Sequence, residues 1–171
     1  MDLIEFLVED FSRCYPVAIL FFSLITRDIY LLIVLLLGEQ INYILKYYIL
    51  KPIFGNKNYP IIGKGTRPAN AVSCGLFREK KKKEKSYGMP SGHSQGALLF
   101  STYKILELIK NKNENPLLYL IYIFFAGFIP WSRVHTGVHT VQQVIIGSII
   151  GSGLGYFFFD IKQDILKLIF K

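Results

Sequence analysis

Apolar residues fall in long blocks along this chain, separated by short polar links, and each block can be compared with the roughly 20 residues that cross the core of a bilayer. The first, residues 14–26, is short and follows an acidic start that holds Asp2, Glu5, Glu9 and Asp10. It reads as one helix bent near Pro16 that reaches the far surface at Arg27 and Asp28. A cleaved signal peptide fits poorly, because the start is acidic and no small-residue cleavage site follows. The second block, residues 30–51, is about 33 Å long at ~1.5 Å per residue and ends at Pro52. Its Glu39, Gln40, Asn42 and Lys46 are costly against lipid and are expected to face the bundle interior. Three more helices are predicted over residues 94–109, 116–131 and 138–159. The last carries Gly147, Gly151, Gly153 and Gly155 with Ser148 and Ser152, a spacing that lets helices approach closely in lipid. Between the second and third helices, residues 53–90 are polar and rich in Gly and Pro, so they read as a loop. The pattern predicts an all-α, multi-pass transmembrane bundle of about five spanning helices, forming one domain over residues 1–171.

Composition sharpens this picture. With 51% hydrophobic residues and a mean hydropathy of +0.35, the chain has ample apolar surface, which excludes a disordered chain and argues against a freely soluble enzyme. Lys and Arg number 20 against 12 acids, a net charge of +8. On so apolar a chain that excess points to lipid head groups or phosphate ligands. The basic run over residues 79–85 is a solvated segment or an attractor of anionic lipid. It lacks the interleaved aromatics of a nucleic-acid groove, so no nucleic-acid partner is expected. Cys14 and Cys74 support neither a disulfide framework nor a zinc site.

Successive spanning helices alternate direction, so the end of helix two, the start of helix three and the link between helices four and five share one membrane face. The chemistry-bearing residues concentrate there. One segment holds Lys46, Lys51, Lys64 and Arg67-Pro68; a second is Tyr87-Gly88-Met89-Pro90-Ser91-Gly92-His93-Ser94-Gln95; a third runs from Ser132-Arg133 through His135 and His139 to Gln143. All three histidines of the chain lie in the last two. This mixture suits phosphoryl transfer. Arginine grips phosphoryl oxygens bidentately, lysine acts as a point charge, and a helix start at Gly92 offers free N–H groups and a positive dipole end. One imidazole can attack phosphorus while another protonates the leaving oxygen. No metal is expected: His135 and His139 are four apart, but no HExxH glutamate lies between them and Arg133 would repel a cation.

These segments resemble the signature of the type-2 phosphatidic acid phosphatase superfamily of membrane lipid phosphatases. Its first motif is a lysine, six residues and Arg-Pro; its second is Pro-Ser-Gly-His; its third is Ser-Arg, five residues, His, three residues and Asp. Pro90-Ser91-Gly92-His93 matches fully, and Ser132-Arg133 is followed after five residues by His139. Where most of the superfamily has aspartate this chain has Gln143, as does the dolichyl diphosphatase branch, which it resembles in Tyr87-Gly88-Met89-Pro90-Ser91 as well, although that branch usually has serine where this chain has Gly92. Seven residues before Arg67 stands Pro60 instead of lysine. Asn42 and Lys46 resemble the family's helix end, with residues 53–66 as an insertion; Lys51 and Lys64 remain alternatives.

The resemblance implies a cofactor-free hydrolase acting on a lipid phosphate or diphosphate in the bilayer, with dolichyl diphosphate as the expected substrate. His139 would be the nucleophile, His93 the proton donor and Gln143 the residue orienting His139. Lys46, Arg67, Ser91, Gly92 and Arg133 would hold the phosphoryl oxygens, and His135 has no role in the family. A broader lipid phosphate phosphatase, and a non-catalytic binder of anionic lipid, are the competing readings. Dolichyl diphosphatases face the lumen of the endoplasmic reticulum, whereas the basic loop favours the cytoplasmic face by the positive-inside rule, so the orientation stays open here.

Overall fold

The computed structural model describes residues 6–72 and 86–169. Asp2, Glu5, Cys74 and the basic run over residues 79–85 lie outside the described residues. Among those described, five long helices form the bundle. A π-helical stretch, Phe6–Phe11, runs directly into α1, Ser12–Ile25, which continues through Pro16. A tight turn, with Arg27 at φ 55°, leads to Asp28, whose carboxylate caps α2 by accepting from Leu31 N at 3.0 Å. Helix α2 occupies Ile29–Phe54, α3 Gly92–Lys110, α4 Pro116–His135 and α5 Val141–Ile169. Of the described helices α2, α4 and α5 are long and apolar enough to cross a membrane. The protein is a multi-pass integral membrane protein.

Helix α2 departs from expectation at Pro52. The chain stays helical to Phe54, because Leu45–Leu50 is π-helical and its ladder ends with Lys51 N bonding Lys46 O. Pro52 therefore falls in the first turn of the α-helical ending, where its missing N–H leaves no donor unmatched. The expectation that all four polar residues of α2 face inward also needs correction. Gly38, Asn42 and Lys46, spaced by four, form the buried stripe, whereas Glu39 and Gln40 are exposed. Glu39 nonetheless lines a small cleft between α1, α2 and α3, bordered by Pro16, Leu35, Gly96 and Leu99.

Helix α3 is the centre of the bundle. Its Phe100 meets Tyr15, Phe22 and Tyr122 edge-on, with ring centroids 6.5, 5.5 and 5.7 Å apart, joining α1 and α4 to the core. Against α5 it packs backbone to backbone. A Cβ on Gly147, Gly151 or Gly155 would lie 2.6, 2.2 or 2.6 Å from the carbonyl oxygen of Ser91, Gln95 or Leu99. Two stripes of period four thus interlock, as small residues allow where lipid supplies no hydrophobic drive. Gly153 does not belong to this contact: nothing among the described residues lies within 4 Å of a Cβ there.

The remaining boundaries shift modestly. Helix α3 starts at Gly92, α4 reaches His135, and α5 begins only at Val141, leaving His139 in a turn. Gly137 at φ 68° makes that turn, and Thr140 Oγ1 accepts from Gln143 N at 3.4 Å to start α5. The long polar stretch is not wholly irregular. It contains a two-stranded antiparallel hairpin, β1 Asn58–Tyr59 and β2 Gly63–Lys64. At the other end of the bundle Lys162 bonds Glu107 at 3.1 Å and Tyr103 at 2.7 Å, which ties the end of α5 to α3.

Candidate active site

Four helix ends and the hairpin loop meet at one end of the bundle. Beneath them a buried polar pair fixes the register of α2 on α3: Asn42 Nδ2 donates to Gln95 Oε1 at 2.8 Å, and Gln95 Nε2 donates to Gly38 O at 2.9 Å. A chain of two such bonds between helices favours one register, since a slip would break both. One turn beyond Asn42, Lys46 is buried in the π-helical stretch and interacts electrostatically with both His93 and His139. Lys51 and Lys64, the alternatives, are both exposed.

Ser91 caps α3, accepting from Ser94 N at 3.4 Å and from the Ser94 hydroxyl at 2.9 Å. The first-turn N–H groups of Gly92 and His93 then lack intrahelical partners, as at any helix start. His93 lies half-buried in that turn, its Nε2 3.2 Å from the carbonyl oxygen of Arg13. Arg133, in the last turn of α4, is 2% exposed; its guanidinium donates to Ser132 Oγ at 3.3 Å, to Ser12 Oγ and to Val8 O at 3.5 Å. Both residues therefore lean on the N-terminal helix, a contribution that sequence reasoning missed. Ser12 and Arg13 stand in no motif, and only the alternation of helix direction hinted that the start of α1 shares this face.

His139 is 3% exposed and held from both sides. Its Nδ1 lies 2.9 Å from Gln143 Oε1, and its Nε2 lies 3.0 Å from Arg67 Nη1, which also donates to Val138 O at 3.0 Å. Gln143 Nε2 donates to the carbonyls of Lys64 and Thr66, each at 2.8 Å, so the amide oxygen must be the end that faces His139. That assigns the proton to Nδ1, so the Nε2 lone pair accepts from Arg67 Nη1. Burial holds the His139 pKa well below the ordinary imidazole value; the charges of Arg67, Lys46 and His93 push the same way, and the Gln143 bond opposes them. A neutral, oriented imidazole among fixed cations is suited to attack an anionic phosphorus centre.

The structure thus brings together Lys46, Arg67, Ser91, Gly92, His93, Arg133, His139 and Gln143. His135 lies apart, exposed at the end of α4 and stacked on Trp131 at 4.8 Å between ring centroids. Among the described residues no three His, Cys, Asp or Glu side chains gather as a metal site would require.

Residues 27–167 match the PAP2 superfamily. The chain belongs to that superfamily. Among curated proteins it is 30% identical over 157 residues to Dolichyldiphosphatase 1 of Dictyostelium discoideum, covering 88% of this chain and 59% of that one. It is 31% identical over 182 residues to Dolichyldiphosphatase of Saccharomyces cerevisiae, covering 98% of this chain and 67% of that one. A shorter match, 32% over 72 residues, joins it to Lipid phosphate phosphatase epsilon 2, chloroplastic, of Arabidopsis thaliana, covering 38% and 24% of the two chains. The chain spans between about half and two thirds of the length of the dolichyldiphosphatases that match most of it. No solved structure matches it significantly. The PAP2 match begins after α1, so Ser12 and Arg13 reach the site from outside the matched region.

Proposed function

We propose that this protein hydrolyses a polyprenyl diphosphate, of the dolichyl type, to the lipid monophosphate and inorganic phosphate. The observation that carries the reading is the His139 ring, with Nδ1 bonded to Gln143 Oε1 and Nε2 set 3.0 Å from Arg67. In the proposed reaction the Nε2 lone pair attacks the terminal phosphorus. The bridging P–O bond breaks, its electron pair leaves with the lipid monophosphate, and His93, which enters the step as the imidazolium beside the anionic substrate, supplies that oxygen with a proton. A water molecule then gives its proton to His93 while its oxygen attacks the phosphohistidine, releasing phosphate and restoring both imidazoles. Lys46, Arg67, Arg133, the Ser91 hydroxyl and the N–H of Gly92 hold the non-bridging oxygens. The lipid chain stays in the bilayer, which explains why the site sits at the end of a membrane bundle. The same reading places the protein in the endoplasmic reticulum membrane.

The test is phosphate release by purified protein in detergent, measured across lipid diphosphates and monophosphates with and without a chelator. Release from the polyprenyl diphosphate is expected to survive the chelator. His139→Ala is expected to lose at least about 10³-fold in turnover, and His93→Ala about 10²- to 10⁴-fold. Activity near wild type in His139→Ala would refute the nucleophile. The match to a lipid phosphate phosphatase favours a second reading, a broader enzyme acting on phosphatidate or diacylglycerol pyrophosphate through the same residues. A flat response across the substrate panel would favour it.

A further inference from the structure

Gln143 does more in this structure than face a histidine. It is wholly buried, and each hydrogen-bonding position of its amide is engaged. The oxygen takes His139 Nδ1 at 2.9 Å and Thr140 N at 3.4 Å; the two hydrogens go to Lys64 O and Thr66 O. Its backbone carbonyl meanwhile accepts from Ser91 N at 3.0 Å. One residue therefore touches all three segments of the site: the loop that carries Arg67, the cap of α3, and the nucleophile.

The neighbouring chain is shaped around that amide. A Cβ on Gly88 would stand 2.6 Å from Gln143 Oε1 and 2.7 Å from its Nε2, so a side chain there would displace the amide. The N–H groups of Gly88 and Met89 both bond Gly65 O at 3.0 Å, closing the loop between the two carbonyls that Gln143 holds. Arg67 follows directly after Thr66 and reaches His139 Nε2. The bonds from Nε2 of Gln143 thus hold the backbone next to Arg67, whose guanidinium itself donates to Ser86 Oγ at 3.1 Å and to Val138 O at 3.0 Å.

We propose that Gln143 is a double-ended positioning residue: its oxygen orients His139, and its NH2 group fastens residues 64–66 so that Arg67 meets the same ring. The inference rests on the phosphatase reading for its kinetic consequence, and on hydrogen bonds alone for its structural one. It also gives a reason for an amide instead of a carboxylate at this position. A carboxylate serves a histidine at least as well, but it has no hydrogen to give two carbonyl oxygens at 2.8 Å, and would repel them.

Gln143→Glu separates the two ends, because it keeps size and an acceptor for His139 while removing the donors. Full-length protein in detergent is assayed for phosphate release from a polyprenyl diphosphate, alone and combined with Arg67→Gln. The expected result is a loss in kcat/KM of about 100-fold for Gln143→Glu, the effect of two lost buried hydrogen bonds. Little further loss is expected when Arg67 is already replaced, because both substitutions act through one guanidinium. Backbone hydrogen exchange is expected to quicken over residues 63–67 while α3 and α5 stay protected. Wild-type activity with unchanged exchange in Gln143→Glu, or losses that multiply in the double variant, would overturn the proposal. A wild-type protein that releases no phosphate would instead refute the proposed function, and the exchange result would still decide whether Gln143 holds the loop.

Discussion

At the level of single residues, protonation is the variable that governs His139. Burial and the guanidinium of Arg67 both disfavour the imidazolium, with Lys46 and His93 adding in the same direction. The unfolded chain takes up a proton near the ordinary imidazole pKa of about 6.5, and the folded chain only at lower pH. The stability linked to this group is therefore full above that value and is lost as pH falls toward the folded pKa. The same sign applies to catalysis. The acid limb of kcat/KM is expected to lie below the ordinary imidazole range, and Arg67→Gln, which removes a like charge, is expected to move it to higher pH. A limb that stays in place in the variant, on the same substrate, would show that the Arg67 charge does not act on the nucleophile. Lys46 shows what could be read beforehand. Its distance from Asn42 placed it one turn further along one face of a helix, and the structure buries both.

Among the elements, the α3–α5 contact makes the sharpest demand. Gly147, Gly151 and Gly155 lie against carbonyl oxygens of α3, while Gly153 is exposed. Gly151→Leu is expected to force the helices apart and cost about 1–3 kcal/mol or more through overpacking, and with it much of the phosphate release, because Ser91 and Gln143 are bonded across the same contact. Gly153→Ala is expected to be neutral or stabilising by up to ~1 kcal/mol through helix propensity. Thermal unfolding in detergent compares the two, and equal effects would contradict the interlocked stripes. Small residues at helical spacing were visible in the sequence, but their pairing with Ser91, Gln95 and Leu99 was not. Spacing alone could not exclude Gly153, because which glycines face a partner depends on the rotation of α5. Pro52 misled for a related reason: proline ends a regular α-helix, and nothing in the sequence announces that Leu45–Leu50 has moved its ladder by one residue.

At the scale of the whole molecule, alternating helix direction and three short polar segments place Arg67, His93 and His139 at one end of the bundle from the sequence alone. What escaped was the part built from unremarkable residues. The carbonyls of Lys64 and Thr66, and the contacts of Val8, Ser12 and Arg13 with Arg133 and His93, depend on backbone groups and a hydroxyl with no motif of their own. The N-terminal helix thereby becomes a wall of the site, though the PAP2 match starts beyond it. The most direct test of His139 as the nucleophile is a rapid-quench experiment with a polyprenyl diphosphate radiolabelled in its terminal phosphate. Acid-labile label is expected on His139, formed in the presence of chelator and absent from His139→Ala. Phosphate release with no labelled protein, or label that persists in His139→Ala, would contradict it.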